Sequence, residues 1–233
     1  LTLLETTTGT ANHPRFLFLS ATKNEVLEEL AKKADLPVTV IQGEYRYDGA
    51  HDNADWRRIL QPVTLHLYER GEGLESWVEA NLALIIAFFR ENRAARGVIL
   101  CNSVATAYRV HARLEKPCHE ARINLSVPNT GLTPPEDRRI DGHLFVATST
   151  VDVGVDFKIN LLIFESLDYA THMQRLGRLG RHLTNAESES FNGVYEAHAL
   201  LPAWVIKSVS DAFPDGAHIE RNTYERAVES AYT

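Results

Sequence analysis

The strongest constraint on the fold is a repeated order of segments: a short apolar run, a loop of small polar residues, then a stretch with helical spacing. Val98 to Leu100 leads through Asn102 and Ser103, both helix-capping types, into a helix expected to run through Leu114. Leu144 to Ala147 and Leu161 to Phe164 are further buried runs, and the second is followed by a helical stretch from Thr171 through Arg181. A fainter unit lies between them. Arg122 to Val127 reads as a strand, and Thr133, Pro134 and Glu136 read as a capping box opening a short helix. Strands that alternate with helices pack as a parallel sheet covered by helices on both faces, so the fold class is α/β.

Ahead of these units, Val63 to Tyr68 alternates like a strand, and Leu74 to Arg93 keeps helical spacing before Gly97 stops it. Further upstream, Arg15 to Leu19 enters a helix capped at Asn24, with Glu25 and Glu28 in its first turn. The loop between them is Ser20, Ala21, Thr22. Residues 43–60, rich in Gly, Asp, Asn and Tyr, read as a linker between a unit over 1–42 and a domain over 61–200, and 201–233 read as a helical extension.

Composition excludes some function classes. Hydrophobic residues make up 44% of 233, enough for a sizeable core, whereas the longest apolar run, Leu82 to Phe89, is too short to cross a bilayer. The N-terminus lacks signal-peptide features, so the expected location is cytoplasmic, with no membrane partner. Cys101 and Cys118 make neither a disulfide framework nor a CxxC metal site. A net charge of −7 argues against nonspecific coating of DNA by the whole surface but allows a local basic patch.

Such a patch is present. Arg175, Arg178 and Arg181 fall within Gln174-Arg-Leu-Gly-Arg-Leu-Gly-Arg181, flanked by His172 and His182, with no acid among them. On a continuous helix Arg178 and Arg181 would project from one face, with Gly177 and Gly180 keeping the other side slim. Paired guanidinium groups suit a triphosphate whose charge shifts during hydrolysis. A solvated basic helix is the plain alternative, but each interior glycine costs about 1 kcal/mol there without return.

Gln-Arg-x-Gly-Arg-x-Gly-Arg resembles the sixth motif of superfamily 2 helicases, and companion motifs of their C-terminal half occur in the right order. Ser20-Ala21-Thr22 resembles motif III, Val98 to Ser103 motif IV, and Val146-Ala147-Thr148 with Gly154, Val155 and Asp156 motif V. The run from Thr148 through Phe157, taken with Arg175 to His182, is similar to the CRISPR-associated helicase of type I systems, especially the stand-alone form of subtype I-D.

That resemblance implies a RecA-like sheet: 1–42 would close a first RecA-like domain and 61–200 would form the second. It implies Arg178 and Arg181 as arginine fingers, with Gln174, Gly154 and Asp156 also facing nucleotide. Such fingers are worth about 10³ to 10⁵ in turnover, roughly 4 to 7 kcal/mol. Asn102, Ser103, Thr148, Ser149 and Thr150 would hold the phosphates of single-stranded DNA, and Ser20, Ala21 and Thr22 would couple nucleotide state to grip. Each of the polar residues also reads as a plain cap or turn former, and Asp156 as a loop cap.

The expected partners are a first RecA-like domain, a guide-RNA surveillance complex and a separate HD nuclease subunit, since His51-Asp52 is a single pair without clustered histidines. None of the six lysines follows a glycine, and no Asp-Glu box for magnesium occurs. ATP and Mg²⁺ would therefore be held mainly by the missing first motor domain, no metal ligands are expected, and this chain alone should not hydrolyse ATP. Two rivals stand beside this reading: an inert helicase-like docking module, and a superfamily 2 motor acting on RNA.

Overall fold

The computed structural model describes residues 61–137, 142–149, 158–181 and 194–233, together with Glu29 and 32–34 near the N-terminus. The chain divides into two compact units, Leu1–Gly49 and Ala50–Thr233. In the first, Glu29, Lys32 and Lys33 are helical.

Five strands, β1 (Thr64–Glu69), β2 (Gly97–Leu100), β3 (Leu144–Ala147), β4 (Leu161–Glu165) and β5 (Glu196–Leu201), form one sheet in the order β1-β5-β4-β2-β3. Every pairing is parallel. β2, β3 and β4 are buried at every position, which explains why they read as unbroken apolar runs rather than alternating ones. Alternate residues still separate the faces. Val98, Leu100, Phe145, Leu162 and Phe164 join a core on one side, and Ile99, Leu144, Val146, Leu161 and Ile163 one on the other.

The second of these cores is closed by α1 (Leu74–Ala80), α2 (Leu82–Glu91) and α3 (Val104–Ala121). The expected single helix over Leu74 to Arg93 is therefore two helices. Asn81 breaks it: φ −113 and ψ 19 lie outside the helical basin, and its side-chain amide donates to the Trp77 carbonyl at 2.8 Å. Conversely, α3 continues past Leu114 to Ala121 although Pro117 offers no N–H to the carbonyl of Arg113. Its buried stripe Ala107, Val110, Leu114, Cys118 outlasts the proline, and Arg122 ends it in the left-handed region at φ 58.

On the other face lie α4 (Tyr169–Leu176), α5 (Ala203–Ala212) and α6 (Arg221–Tyr232). Val205 and Val209 of α5 and Tyr224 and Val228 of α6 are buried in the same core as the strands, so these two helices are integral to the sheet's cover.

The fainter unit departs from expectation. Among the described residues between α3 and β3, two isolated bridges form with β3, Leu125 to Leu144 and Asn129 to Ala147. Among the described residues no capping box forms at Thr133: its hydroxyl donates to the Pro128 carbonyl at 2.7 Å and accepts from the Thr130 amide at 3.0 Å, and a 3₁₀ turn follows at Pro135–Asp137. The loop consumes the hydroxyl that a helix would have needed.

Candidate functional site

In a parallel sheet all strands present their carboxyl ends on one rim, and loops there carry ligand-binding groups. β2 and β3 are neighbours with Leu100 opposite Ala147, and the Cys101 amide donates to the Ala147 carbonyl at 2.8 Å. Asn102 and Ser103 therefore leave the rim beside Thr148 and Ser149. Asn102, Ser103 and Ser149 are exposed, whereas Thr148 is buried and its amide donates to the Asn129 carbonyl at 3.1 Å.

The two capping residues take different parts. Ser103 is the N-cap of α3, its Oγ accepting from the Thr106 amide at 3.0 Å. Asn102 does not cap: its Oδ1 accepts from Arg175 Nη1 at 2.8 Å.

Arg175, 2% exposed, reaches back along α4 to the rim, where Nη1 also donates to the Glu165 carbonyl at 2.5 Å. The Glu165 carboxylate, 4% exposed at the end of β4, accepts from the Asn102 amide through Oε1 and from Arg70 Nε through Oε2, each at 3.2 Å. The buried carboxylate is thus satisfied by one guanidinium and one backbone N–H, while Arg175 holds the carbonyl of the same residue. Glu165 and Arg70 had not been singled out from the sequence. The available signal was an acid ending an otherwise apolar strand, since burial at that position requires a partner.

The arginine turn follows on from Arg175 of this rim cluster. Helix α4 starts two residues earlier than expected, where Asp168 Oδ1 accepts from the Thr171 amide at 2.8 Å, and it ends at Leu176 rather than Arg181. Arg178 and Arg181 hence do not share a helix face. Their backbone runs through tight turns, with the Arg178 amide bonded to the Arg175 carbonyl at 2.9 Å. Gly180 then takes φ +76, and its carbonyl accepts from the Gln61 amide at 2.7 Å, which ties the turn to the segment leading into β1. A Cβ at Gly180 would sit 3.2 Å from the Gln61 backbone. The two glycines serve a turn and its close approach, not a slim helix side.

Arg178 is 8% exposed, while Arg181 and Gln174 are exposed. Arg181 Nε donates to the Gly177 carbonyl at 2.6 Å. A guanidinium anchored through Nε still offers its terminal N–H groups, a donor set that suits phosphate oxygens. Ser20, Ala21, Thr22, Thr150, Gly154 and Asp156 lie outside the described residues, as do His51, Asp52 and His182.

Behind the turn, α6 braces α4. His172, fully buried, places Nε2 2.9 Å from the Tyr224 hydroxyl, and Tyr169 donates to Glu225 at 2.7 Å. Burial, with the Arg221 cation adding and Asp168 partly offsetting, pushes the His172 pKa down to about 4, so its imidazole is neutral. Burial pushes Cys101 up to about 12, helped by Glu165 and opposed by Arg175, and Cys118 up to about 11. Neither thiol is a nucleophile at neutral pH.

Among the described residues no group of three metal-ligating side chains could hold an ion, and no helix is long and apolar enough to cross a membrane.

Residues 120–184 match the family model described as CRISPR-associated nuclease/helicase Cas3, C-terminal. A sequence search of curated proteins finds no match. Among solved structures, T. fusca Cas3-ATP is similar at 15% identity and TM-score 0.56, over 87% of this chain and 25% of that one. S. cerevisiae Dbp5 bound to RNA and ADP BeF3 is similar at 15% identity and TM-score 0.55, over 92% of this chain and 54% of that one. The chain spans about a quarter of the length of the Cas3 structures it matches. Its sheet is the fold of these helicases' C-terminal RecA-like domains, and the matched segment runs from the end of α3 through β3, β4 and α4 to the arginine turn. The chain thus carries, over residues 120–184, a segment similar to the C-terminal part of CRISPR-associated nuclease/helicase Cas3, set in a fold that Cas3 and Dbp5 share.

Proposed function

We propose that this chain is the second motor domain of an ATP-dependent DNA helicase or translocase in a type I CRISPR interference system, with subtype I-D as the nearest form. Arg181 and Arg178 act as arginine fingers, and Asn102, Ser103, Thr148, Ser149 and Thr150 grip the DNA backbone. Gln174, Gly154 and Asp156 face nucleotide, and Ser20, Ala21 and Thr22 couple the two activities. ATP with Mg²⁺, held mainly by another RecA-like domain, supplies the phosphoryl bond whose hydrolysis drives movement. The partners are single-stranded DNA, that first domain, a guide-RNA surveillance complex and a separate HD nuclease, and the setting is the cytoplasm.

The observation that carries this reading is the rim of adjacent strands. It presents Asn102, Ser103 and Ser149 to solvent and is joined through Arg175 to a turn that presents Arg181. Amides, hydroxyls and helix N-termini hold phosphates without reading bases, which is what a translocating motor requires. A mobile γ-phosphate in turn needs a cation aimed at its developing charge.

The test uses the full-length protein. Arg181→Ala should leave nucleotide binding intact and lower DNA-stimulated hydrolysis by about 10³- to 10⁵-fold. Arg178→Lys, which keeps the charge of a side chain that is mostly buried, should lower it less. Turnover at the unmodified rate in both variants would sink the finger assignment. The isolated 233-residue chain should show no hydrolysis.

The likeness to Dbp5, an RNA-bound structure, favours a second reading in which the strand is RNA. Stimulation by single-stranded RNA but not by DNA of the same length would select it.

A further inference from the structure

We infer that the buried Glu165, with Arg70 and Arg175, is a positioning relay that couples the strand-gripping loop Asn102–Ser103 to the arginine turn. This inference rests on the motor reading above and adds residues to which that reading gives no role.

The geometry is a continuous chain of contacts. At one end Asn102 is held twice, by its backbone amide to Glu165 Oε1 at 3.2 Å and by its Oδ1 to Arg175 at 2.8 Å. Both anchors lie on rigid elements, the last residue of β4 and the last turn of α4. From Arg175 the backbone passes directly into the turn, since its carbonyl accepts the Arg178 amide at 2.9 Å, and Gly177, two residues on, supplies the carbonyl that holds Arg181 Nε at 2.6 Å. Arg70, at the end of β1, fixes the second oxygen of Glu165. Any shift of Asn102 when a phosphate docks beside it must therefore either break its charge-assisted bond to Glu165 or carry Arg175 along.

Burial makes the coupling stiff. Glu165 and Arg175 are 4% and 2% exposed and have Phe164 and Ser166 buried around them, so there is little room for alternative rotamers. The Arg70–Glu165 ion pair, its carboxylate buried, would gain little over apolar residues of the same size if it were placed only for stability. Its cost is understandable if it holds two functional segments in register.

The experiment uses the full-length protein, ATP and a single-stranded oligodeoxythymidine. Glu165→Gln keeps the shape and the acceptor for the Asn102 amide but removes the charge and turns an amide N–H toward Arg70. Arg70→Met, at a half-exposed side chain, tests the other side of the same carboxylate and carries the test should Glu165→Gln not fold. Each variant should retain its DNA-free turnover, its KM for ATP and its affinity for the strand, while the factor by which the strand accelerates hydrolysis falls about 2- to 30-fold. The double variant should be no worse than the weaker single, because both act on one link. An unchanged acceleration factor, or equal losses with and without DNA, would overturn the relay. Arg181→Ala run alongside separates the two failures. If it hydrolyses normally, the motor reading has failed; if it is inactive while Glu165→Gln keeps full acceleration, only the relay has failed.

Discussion

The imidazole of His172 on α4 and the phenol of Tyr224 on α6 meet at 2.9 Å in the core, sealed from solvent beside the ring of Phe164. Folding lowers the His172 pKa from 6.5 to about 4, chiefly through burial. Between those values the unfolded chain binds the proton more readily than the folded one, so stability is full above about pH 6.5 and is lost as pH falls toward 4. The complete loss is on the order of 3 kcal/mol. Urea titrations at pH 7 and pH 5 should show the decline, and the pair variant His172→Phe with Tyr224→Phe should flatten it. An identical pH slope in that variant would refute the assignment.

Gly180 and Gly216 both adopt positive φ, +76 and +73, but only Gly180 faces a neighbour. Alanine at Gly216 should cost about 1 to 2 kcal/mol from backbone strain alone. Gly180→Ala should cost more, since its Cβ would press on the Gln61 backbone at 3.2 Å. Denaturant midpoints of the two variants, measured side by side, separate strain from crowding. Equal losses would mean that the approach of Gln61 is not tight.

Capping and grip can be parted at Ser103. Ser103→Ala removes the acceptor of the Thr106 amide and should cost about 1 kcal/mol. Ser103→Asp caps equally well but sets a negative charge where a phosphate is proposed to dock. It should fold with normal stability and bind single-stranded DNA more weakly, as fluorescence anisotropy of the full-length protein would report. Unaltered binding in the aspartate variant would leave Ser103 as a cap alone.

Cys101 and Cys118, buried and with pKa values raised to about 12 and 11, should resist iodoacetamide in the native protein at pH 7.5 and react once it is unfolded. Rapid native labelling of either would contradict the packing around α3 and β2.

The parallel sheet was legible in the sequence because β2, β3 and β4 are covered on both faces, and full burial writes itself as unbroken apolar runs. Where pattern failed, a local side-chain bond decided. Asn81 splits a helix by turning its amide on Trp77, and Thr133 spends its hydroxyl on Pro128. At the candidate site, motif spacing singled out Arg178 and Arg181 but placed them on a helix that stops at Leu176, because a glycine pair permits a turn as readily as close packing. Spacing was silent on Glu165. Its partners Arg70 and Asn102 are 95 and 63 residues away in sequence, and only the sheet brings them together.

Among the described residues the outer strand β1 has β5 as its one neighbour in the sheet, and their contacting side chains Tyr68 and His198 are 130 residues apart in sequence. A ribosome adding about 5 to 20 residues per second needs roughly 7 to 26 s to cover that distance. For that interval β1, with Leu65 and Leu67 destined for the core, waits as an unpaired ribbon while β2, β3 and β4 can already assemble. The nascent domain thus passes through a stage with an open sheet edge, when it is most exposed to aggregation and most in need of a chaperone.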